Sequence, residues 1–180
     1  MNCRTISRGM GALMLLGLAA GPALADESED AIIAHSESAA PGYISREATI
    51  MLSDGTVLRE GSNGWTCLPD TMSGDGAPIC NDATWMELLG AVGSKSDFKA
   101  SRIGISYMLQ GDRGAGVSNS DPYHPDHKNA NDHVETGPHL MIVVPPELME
   151  GISDDPSMGG PWIMWGDTPY AHIMVPLSEN

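Results

Sequence analysis

Short stretches in which apolar and polar positions alternate make up most of the chain, a pattern typical of β-strands. Between residues 48 and 68 the pattern predicts a meander of three short strands. Asp54-Gly55 and Asn63-Gly64 separate these strands, because such pairs supply the positive φ angles of tight turns. Further strands are expected near residues 103–109, 140–144, 162–165 and 171–175.

Helical periodicity occurs in two segments. Residues 28–39 are expected to form a short helix that Pro41-Gly42 ends. Residues 81–92 carry apolar side chains at helical spacing, with Thr84 and Glu87 in the positions of a capping box. The sequence therefore predicts an α+β domain, in which one or two helices cover a mostly antiparallel sheet. An all-β sandwich is the alternative.

The strand expected at 103–109 has its larger apolar side chains at alternate positions, namely Ile103, Ile105, Tyr107 and Leu109. A period of two indicates a half-buried strand. The next segment, residues 111–138, has no periodic apolar pattern, and we expect a long loop near the open edge of the sheet. Its polar side chains are His124, His127 and His133 beside Asp121, Asp126 and Asp132. Such a tract can bind a divalent metal, or it can be a solvated loop whose histidines have no role.

The first 25 residues have the pattern of a secretory signal peptide. Arg4 and Arg8 precede the apolar run 9–20, which is too short to span a bilayer, and residues 23–25 form a small-x-small cleavage site. We therefore expect a periplasmic or secreted protein in which residues 26–180 form one globular domain without a membrane anchor.

Two of the three cysteines remain after signal cleavage, namely Cys67 and Cys80. Oxidising compartments favour disulfides, and redox or metal-binding pairs usually have the tighter C-x-x-C spacing. We expect a structural Cys67–Cys80 disulfide.

The chain is strongly acidic, with a formal net charge of -15. Loss of Arg4 and Arg8 with the signal would leave seven basic against 24 acidic residues, a net charge of -17. Nucleic acids and anionic membranes attract basic surfaces, so neither is an expected partner. A metal ion or a small molecule remains.

The motif His-x-Met occurs twice, as His139 with Met141 and as His172 with Met174. Residues i and i+2 share one face of a β-strand, so each motif presents an imidazole beside a thioether. If the two strands are neighbours, the four side chains can form one N2S2 site. Thioethers select Cu(I), and imidazole also suits copper. The alternative is that the methionines fill the core of a chain with a single phenylalanine.

Two resemblances bear on this motif. Much of the chain looks like a group of exported bacterial proteins without an assigned activity. The segments that carry this resemblance are GTVLREGSNGWTCLPD, ISYMLQGD, TGPHLMIVVP and GGPWIMWGDTPYAHIMVP. The C-terminal segment is similar to periplasmic copper chaperones of cupredoxin-like fold, in which His and Met side chains bind Cu(I). That resemblance implies a ligand set of His139, Met141, Met149, His172 and Met174. Leu140 separates the first His and Met here, whereas they are adjacent in those chaperones. Met108 is a further candidate ligand.

Three functions follow from these patterns. The first is an exported binding protein that holds Cu(I) at His139, Met141, His172 and Met174. The second is an exported hydrolase or lyase whose general base is His139 or His172, oriented by Asp167. Its pocket would be lined by Trp162, Trp165 and Tyr170. The third is a protein-interaction module. The sequence contains neither G-x-S-x-G nor H-E-x-x-H, which excludes the families that those motifs define.

Overall fold

The computed structural model describes residues 1, 23–72 and 74–178, which contain two β-sheets and three α-helices. The helices are α1 (Ala23–Glu37), α2 (Gly42–Ser45) and α3 (Ala83–Ser94), and 3-10 turns cover His127–Asn129, Pro146–Leu148 and Pro156–Met158. The strands are β1 (Thr49–Met51), β2 (Val57–Arg59), β3 (Thr66–Leu68), β4 (Ile79–Asn81), β5 (Gly104–Met108), β6 (Val117–Ser118), β7 (His133–Val134), β8 (His139–Val143), β9 (Trp162–Met164) and β10 (His172–Pro176). The expected signal peptide lies, as far as residue 22, outside the described residues. None of the described helices is long and apolar enough to cross a membrane.

The larger sheet has eight strands in the order β2-β1-β3-β4-β5-β8-β10-β9, and β6 pairs with β7 in the smaller sheet. Within the described chain every pairing is antiparallel except that of β1 with β3. Helix α3 packs on the face that carries Ile79 and Met108. Ala39 and Ile44, at the end of the N-terminal helical segment, pack on the opposite face against Cys80. The expected α+β fold is confirmed. Helices cover the sheet where a sandwich would have a second sheet.

The expected meander between residues 48 and 68 is wrong, because its three strands do not pair in the order of the chain. β3 pairs with β1 in parallel, so β1 lies between β2 and β3. The chain crosses past the start of β1 at Gly61, where any side chain would clash with the backbone of Ala48 and Thr49. Hydrogen bonds from Gly61 N to Thr49 Oγ1 and from Ser62 N to the Glu47 carbonyl hold this crossing.

Helix α3 begins two residues earlier than a capping box at Thr84 would place it, so that expected box is wrong. The N-cap is Asp82, whose carboxylate accepts a hydrogen bond from Trp85 N at 2.8 Å. The same carboxylate accepts from Ile105 N at 2.8 Å, which ties the helix to β5. Thr84 Oγ1 instead accepts from Arg102 Nε.

The face of β5 that packs against α3 carries the smaller residues of the alternating pattern. Gly104, Ser106 and Met108 are buried, whereas Ile103 is exposed. A Cβ atom at residue 104 would lie 2.7 Å from Val143 Cγ1 and 2.8 Å from Thr84 Cβ. The helix can therefore pack closely only because residue 104 is a glycine. The larger apolar residues of β5 lie on the other face.

The expected loop 111–138 contains β6, β7 and a 3-10 turn. The Asp132 carboxylate accepts hydrogen bonds from Ser118 Oγ and from the amide and hydroxyl of Ser120, which lowers its pKa. Two contacts fix the segment on its neighbours. The Tyr123 hydroxyl donates to the Val92 carbonyl on α3, and Trp165 N, just after β9, donates to the Asn119 carbonyl.

The expected disulfide is confirmed. Cys67 and Cys80 are directly opposite each other on β3 and β4, and both are fully buried. Their bond closes the segment that carries the turn at residues 69–78.

Replacing both cysteines with alanine is expected to lower the free energy of unfolding by about 3 kcal/mol, because cross-linking a loop of about 15 residues restricts the unfolded chain by that amount. Urea unfolding of the Cys67→Ala/Cys80→Ala protein measures the change. Reductant should destabilise the native protein to the level of this variant without affecting the variant itself. Equal stability of the oxidised and reduced native protein would contradict the expectation.

Candidate metal-binding site

The two His-x-Met motifs lie side by side on β8 and β10. These strands are antiparallel neighbours, and their register places Met141 directly opposite Met174. Each histidine precedes its methionine by two residues, so His139 and His172 flank the methionine pair from opposite ends on the same face. All four side chains are buried. They line one cavity of about 150 Å³, called here the inner cavity.

Two further methionines extend the sulfur lining of the inner cavity. Met108 is opposite His139 across the β5–β8 pair, and Met164 is opposite His172 across the β9–β10 pair. Both side chains are buried, and both line the cavity. Met149, implied as a ligand by the chaperone resemblance, lies apart in a surface groove with Val144 and Ile163.

A backbone carbonyl fixes the orientation of each imidazole. His139 Nδ1 lies 2.7 Å from the Gly137 carbonyl, and His172 Nδ1 lies 2.9 Å from the Tyr170 carbonyl. A carbonyl oxygen only accepts, so in the neutral rings Nδ1 carries the proton and Nε2 carries the lone pair. Metal-binding histidines are usually oriented by this kind of contact.

The Nε2 atom of His139 has no hydrogen-bond partner within the described part of the chain, although it is fully buried. Buried polar atoms without partners are rare and destabilising, and such an atom calls for an explanation. A metal ion bound at this lone pair would satisfy it.

Burial lowers the pKa of His172 to about 4, and the positive charge that His139 can carry lowers it further. The hydrogen bond to the Tyr170 carbonyl acts in the opposite direction. His172 is therefore neutral at pH 7, the state in which imidazole binds metals.

Aromatic and aliphatic side chains close the inner cavity around His172. The rings of Trp85 and Trp165 approach the His172 imidazole edge-on, with centroid distances of 5.2 and 5.1 Å. Trp165 has a φ of 56°, uncommon for a large side chain, and its indole N–H donates to the Ser118 carbonyl. Leu88 of α3 also lines the cavity. The surroundings of the two imidazoles and the thioethers are thus mostly apolar.

One carboxylate, Asp112, lines the inner cavity. Burial raises its pKa, while the amide of Thr136 and the charge that His139 can carry lower it. Asp167, the expected orienting carboxylate, is exposed in the turn after β9 and is not among the residues that line the cavity.

Trp162, Trp165 and Tyr170, the aromatic residues expected to share a pocket, belong to one hydrophobic cluster, but they do not all line the inner cavity. Trp165 lines the inner cavity, but Trp162 lies in the core with its indole N–H bonded to Asn119 Oδ1. The Tyr170 hydroxyl donates to the Ser96 carbonyl.

The histidine-rich loop does not form a metal cluster of its own. Among the described residues, no three His, Cys, Asp or Glu side chains are grouped so that they could hold a metal ion. His127 alone of this tract lines the inner cavity, and its Nδ1 accepts from Ser118 N. Any metal site in the described part of the chain would therefore need ligands beyond these four residue types.

The sequence interpretation did not single out several residues of the inner cavity, namely Trp85, Asp112 and Met164. Met164 could have been identified from its position, because it follows Trp162 by two residues, as the methionine of each His-x-Met motif follows its histidine. Asp112 carried no comparable signal, because it follows the end of β5 in a segment without periodicity.

Acidification is expected to destabilise the metal-free protein through His172. Its folded pKa of about 4 lies below the ordinary value of 6.5, so the unfolded chain binds more protons between these pH values. The contribution of His172 to stability is complete above about pH 6.5, and about 3 kcal/mol of it is lost as the pH falls to about 4.

Urea unfolding at about pH 7.5 and about pH 4.5 measures this loss in the native protein and in His172→Gln. The loss should be larger in the native protein. Asp112, with its raised pKa, has the opposite pH dependence but is present in both proteins, so it cancels in the comparison. Equal losses in the two proteins would contradict the assignment.

Comparison of the chain with protein-family models, with curated proteins and with solved structures found no match. The interpretation of the site therefore rests on the position and chemistry of its own side chains, above all the paired His-x-Met strands.

Proposed function

We propose that this protein is an exported binding protein that holds one Cu(I) ion through His139, Met141, His172 and Met174. The observation that carries the proposal is the register of β8 and β10, which pairs the two methionines and places a histidine at either end of the pair. Two nitrogen and two sulfur donors of neutral charge then line one buried cavity.

The donor chemistry favours Cu(I) over other metals. Thioether sulfur is a soft ligand that binds Cu(I) and has little affinity for Mg²⁺ or Ca²⁺, which prefer oxygen. Zn²⁺ sites in proteins use Cys, His, Asp or Glu rather than thioethers. A site of neutral ligands with apolar walls suits a monovalent ion, because little charge has to be desolvated.

The buried Nε2 of His139 supports the same proposal. Among the described residues this lone pair has no hydrogen-bond partner, which costs free energy in the folded protein. Both Nδ1 atoms are already bonded to carbonyls, so each ring has only Nε2 left to offer a ligand.

The compartment is part of the proposal. The Cys67–Cys80 disulfide is compatible with an oxidising environment, in which methionine and histidine remain available when cysteines are oxidised. The excess of acidic residues would attract cations to the surface. The expected signal peptide would direct the chain to the periplasm or outside the cell.

The hydrolase or lyase hypothesis has less support. A general base works best with a pKa near the working pH, whereas the pKa of His172 is about 4. Each Nδ1 faces a backbone carbonyl rather than a carboxylate. Trp162 and Tyr170 are not among the residues that line the inner cavity, although Trp165 is. No specific observation favours the interaction module.

The metal-free protein is expected to bind Cu(I) in a ratio of one to one under anaerobic conditions, in competition with a chromogenic Cu(I) chelator. Outer partners of metal ligands are worth about 10-fold to 100-fold in affinity, so losing a ligand should weaken binding by about 100-fold or more. We expect this for His172→Gln and for Met174→Leu.

Two substitutions of the same chemical kind serve as controls. His124→Gln removes a histidine of the loop, and Met158→Leu removes a methionine that is 71% exposed. Both variants should bind Cu(I) like the native protein. Failure of the native protein to retain Cu(I) against the chelator would refute the proposed function. Equal weakening by the control substitutions would refute the ligand assignment.

A further inference from the structure

A second, smaller cavity adjoins the inner cavity. It has a volume of about 30 Å³ and is called here the outer cavity. The residues that line both cavities are Thr71, Met72, Met108, Asp112 and Val117. Because the same five residues line both cavities, the two cavities are adjacent.

Two of these shared residues are methionines at different depths. Met72 is 40% exposed, whereas Met108 is 3% exposed and lies directly opposite His139. Thr71, the residue before Met72, places its hydroxyl 3.8 Å from Met108 Sδ. A thioether at the surface and a thioether beside the buried imidazole therefore border the same passage.

Carboxylates surround this passage. Asp75 and Asp112 line the outer cavity. The Asp75 carboxylate also accepts a hydrogen bond from Met72 N at 2.7 Å, which fixes the backbone that carries the exposed thioether. A cation that approaches this surface meets negative charge before it meets sulfur.

We infer that the outer cavity is the loading route for Cu(I), along which the ion binds first to Met72, then to Met108, and then to His139 and the methionine pair. The inference rests on the proposed function. Each step exchanges one neutral thioether or imidazole for another, so copper remains Cu(I) and no proton or electron is transferred. Met72 and Met108 thus form a transient site, separate in role from the final ligands.

The segment that contains Pro122, His124 and His127 provides the comparison. Pro122 and His127 line the inner cavity but not the outer cavity, and His124 lines neither. Tyr123 of this segment donates to the Val92 carbonyl of α3, and the Lys95 ammonium group lies 4.6 Å from the centre of its ring. The segment carries imidazoles but no methionine.

The rate at which Cu(I) is loaded tests the proposed route. Metal-free protein is mixed with Cu(I) in dilute acetonitrile in an anaerobic stopped-flow instrument, and tryptophan fluorescence reports binding because Trp85 and Trp165 contact His172. Affinity is measured separately by chelator competition. Met72→Leu and Asp112→Asn are expected to slow loading by about tenfold, the lower range of electrostatic and guided association effects, with the affinity changed by no more than about twofold.

Matched variants complete the experiment. Met72→Gln, which also lacks the thioether, should slow loading as Met72→Leu does. His124→Gln, which removes an imidazole that lines neither cavity, and Met158→Leu, at an exposed methionine, should load at the native rate. His127→Gln is compared with Met72→Leu, because His127 lines the inner cavity but not the outer cavity.

Each other outcome has a defined meaning. If the native protein binds Cu(I) but the Met72 variants load at the native rate, the loading route is wrong and the proposed function stands. The route is also wrong if His127→Gln is the variant that slows loading, or if loss of the Met72 thioether weakens the affinity as strongly as loss of a ligand. If the native protein does not bind Cu(I), the proposed function fails and the route fails with it.

Discussion

The pairing of β8 with β10 is the constraint on which the site depends. Met141 faces Met174 in this pair, and the antiparallel direction then places His139 and His172 at opposite ends. A shift of one residue would turn one motif to the other face of the sheet, since side chains alternate with a period of two. A parallel arrangement would place the histidines together at one end. Thus the hydrogen-bonded register of two five-residue strands decides whether four donors share one cavity.

Burial gives these donors their properties. Helix α3 and the segment between β5 and β8 cover the His/Met face, and the close approach of Thr84 to Gly104 shows how tightly the helix packs there. Removal from water holds His172 neutral at pH 7, and His139 Nε2 has no hydrogen-bond partner among the residues that the structure describes. A protein that had only to fold would gain stability from apolar residues in these two positions. The presence of two oriented imidazoles in the core is thus a cost that ligand binding would explain.

The sequence predicted some elements well and others only in part. The periodicity of residues 81–92 located α3, but the cap is Asp82 because this carboxylate also bonds to Ile105 N of β5. Local turn signals suggested a meander between residues 48 and 68, whereas the close approach of Gly61 to β1 lets β3 pair on the far side of β1. In both segments the expectation was based on neighbouring residues, and contacts between residues distant in the chain produce a different structure.

The sequence by itself determined which side chains share a strand face. His139 and Met141, and likewise His172 and Met174, are two positions apart, and the pleat of a strand places them together whatever the fold. Composition and the surviving pair of cysteines likewise pointed to the disulfide. Only the tertiary structure decided that the two motif strands are neighbours and that Met108, Met164 and Asp112 join them. Strand order and register depend on hydrogen bonds and packing between segments far apart in the chain, which no local pattern encodes.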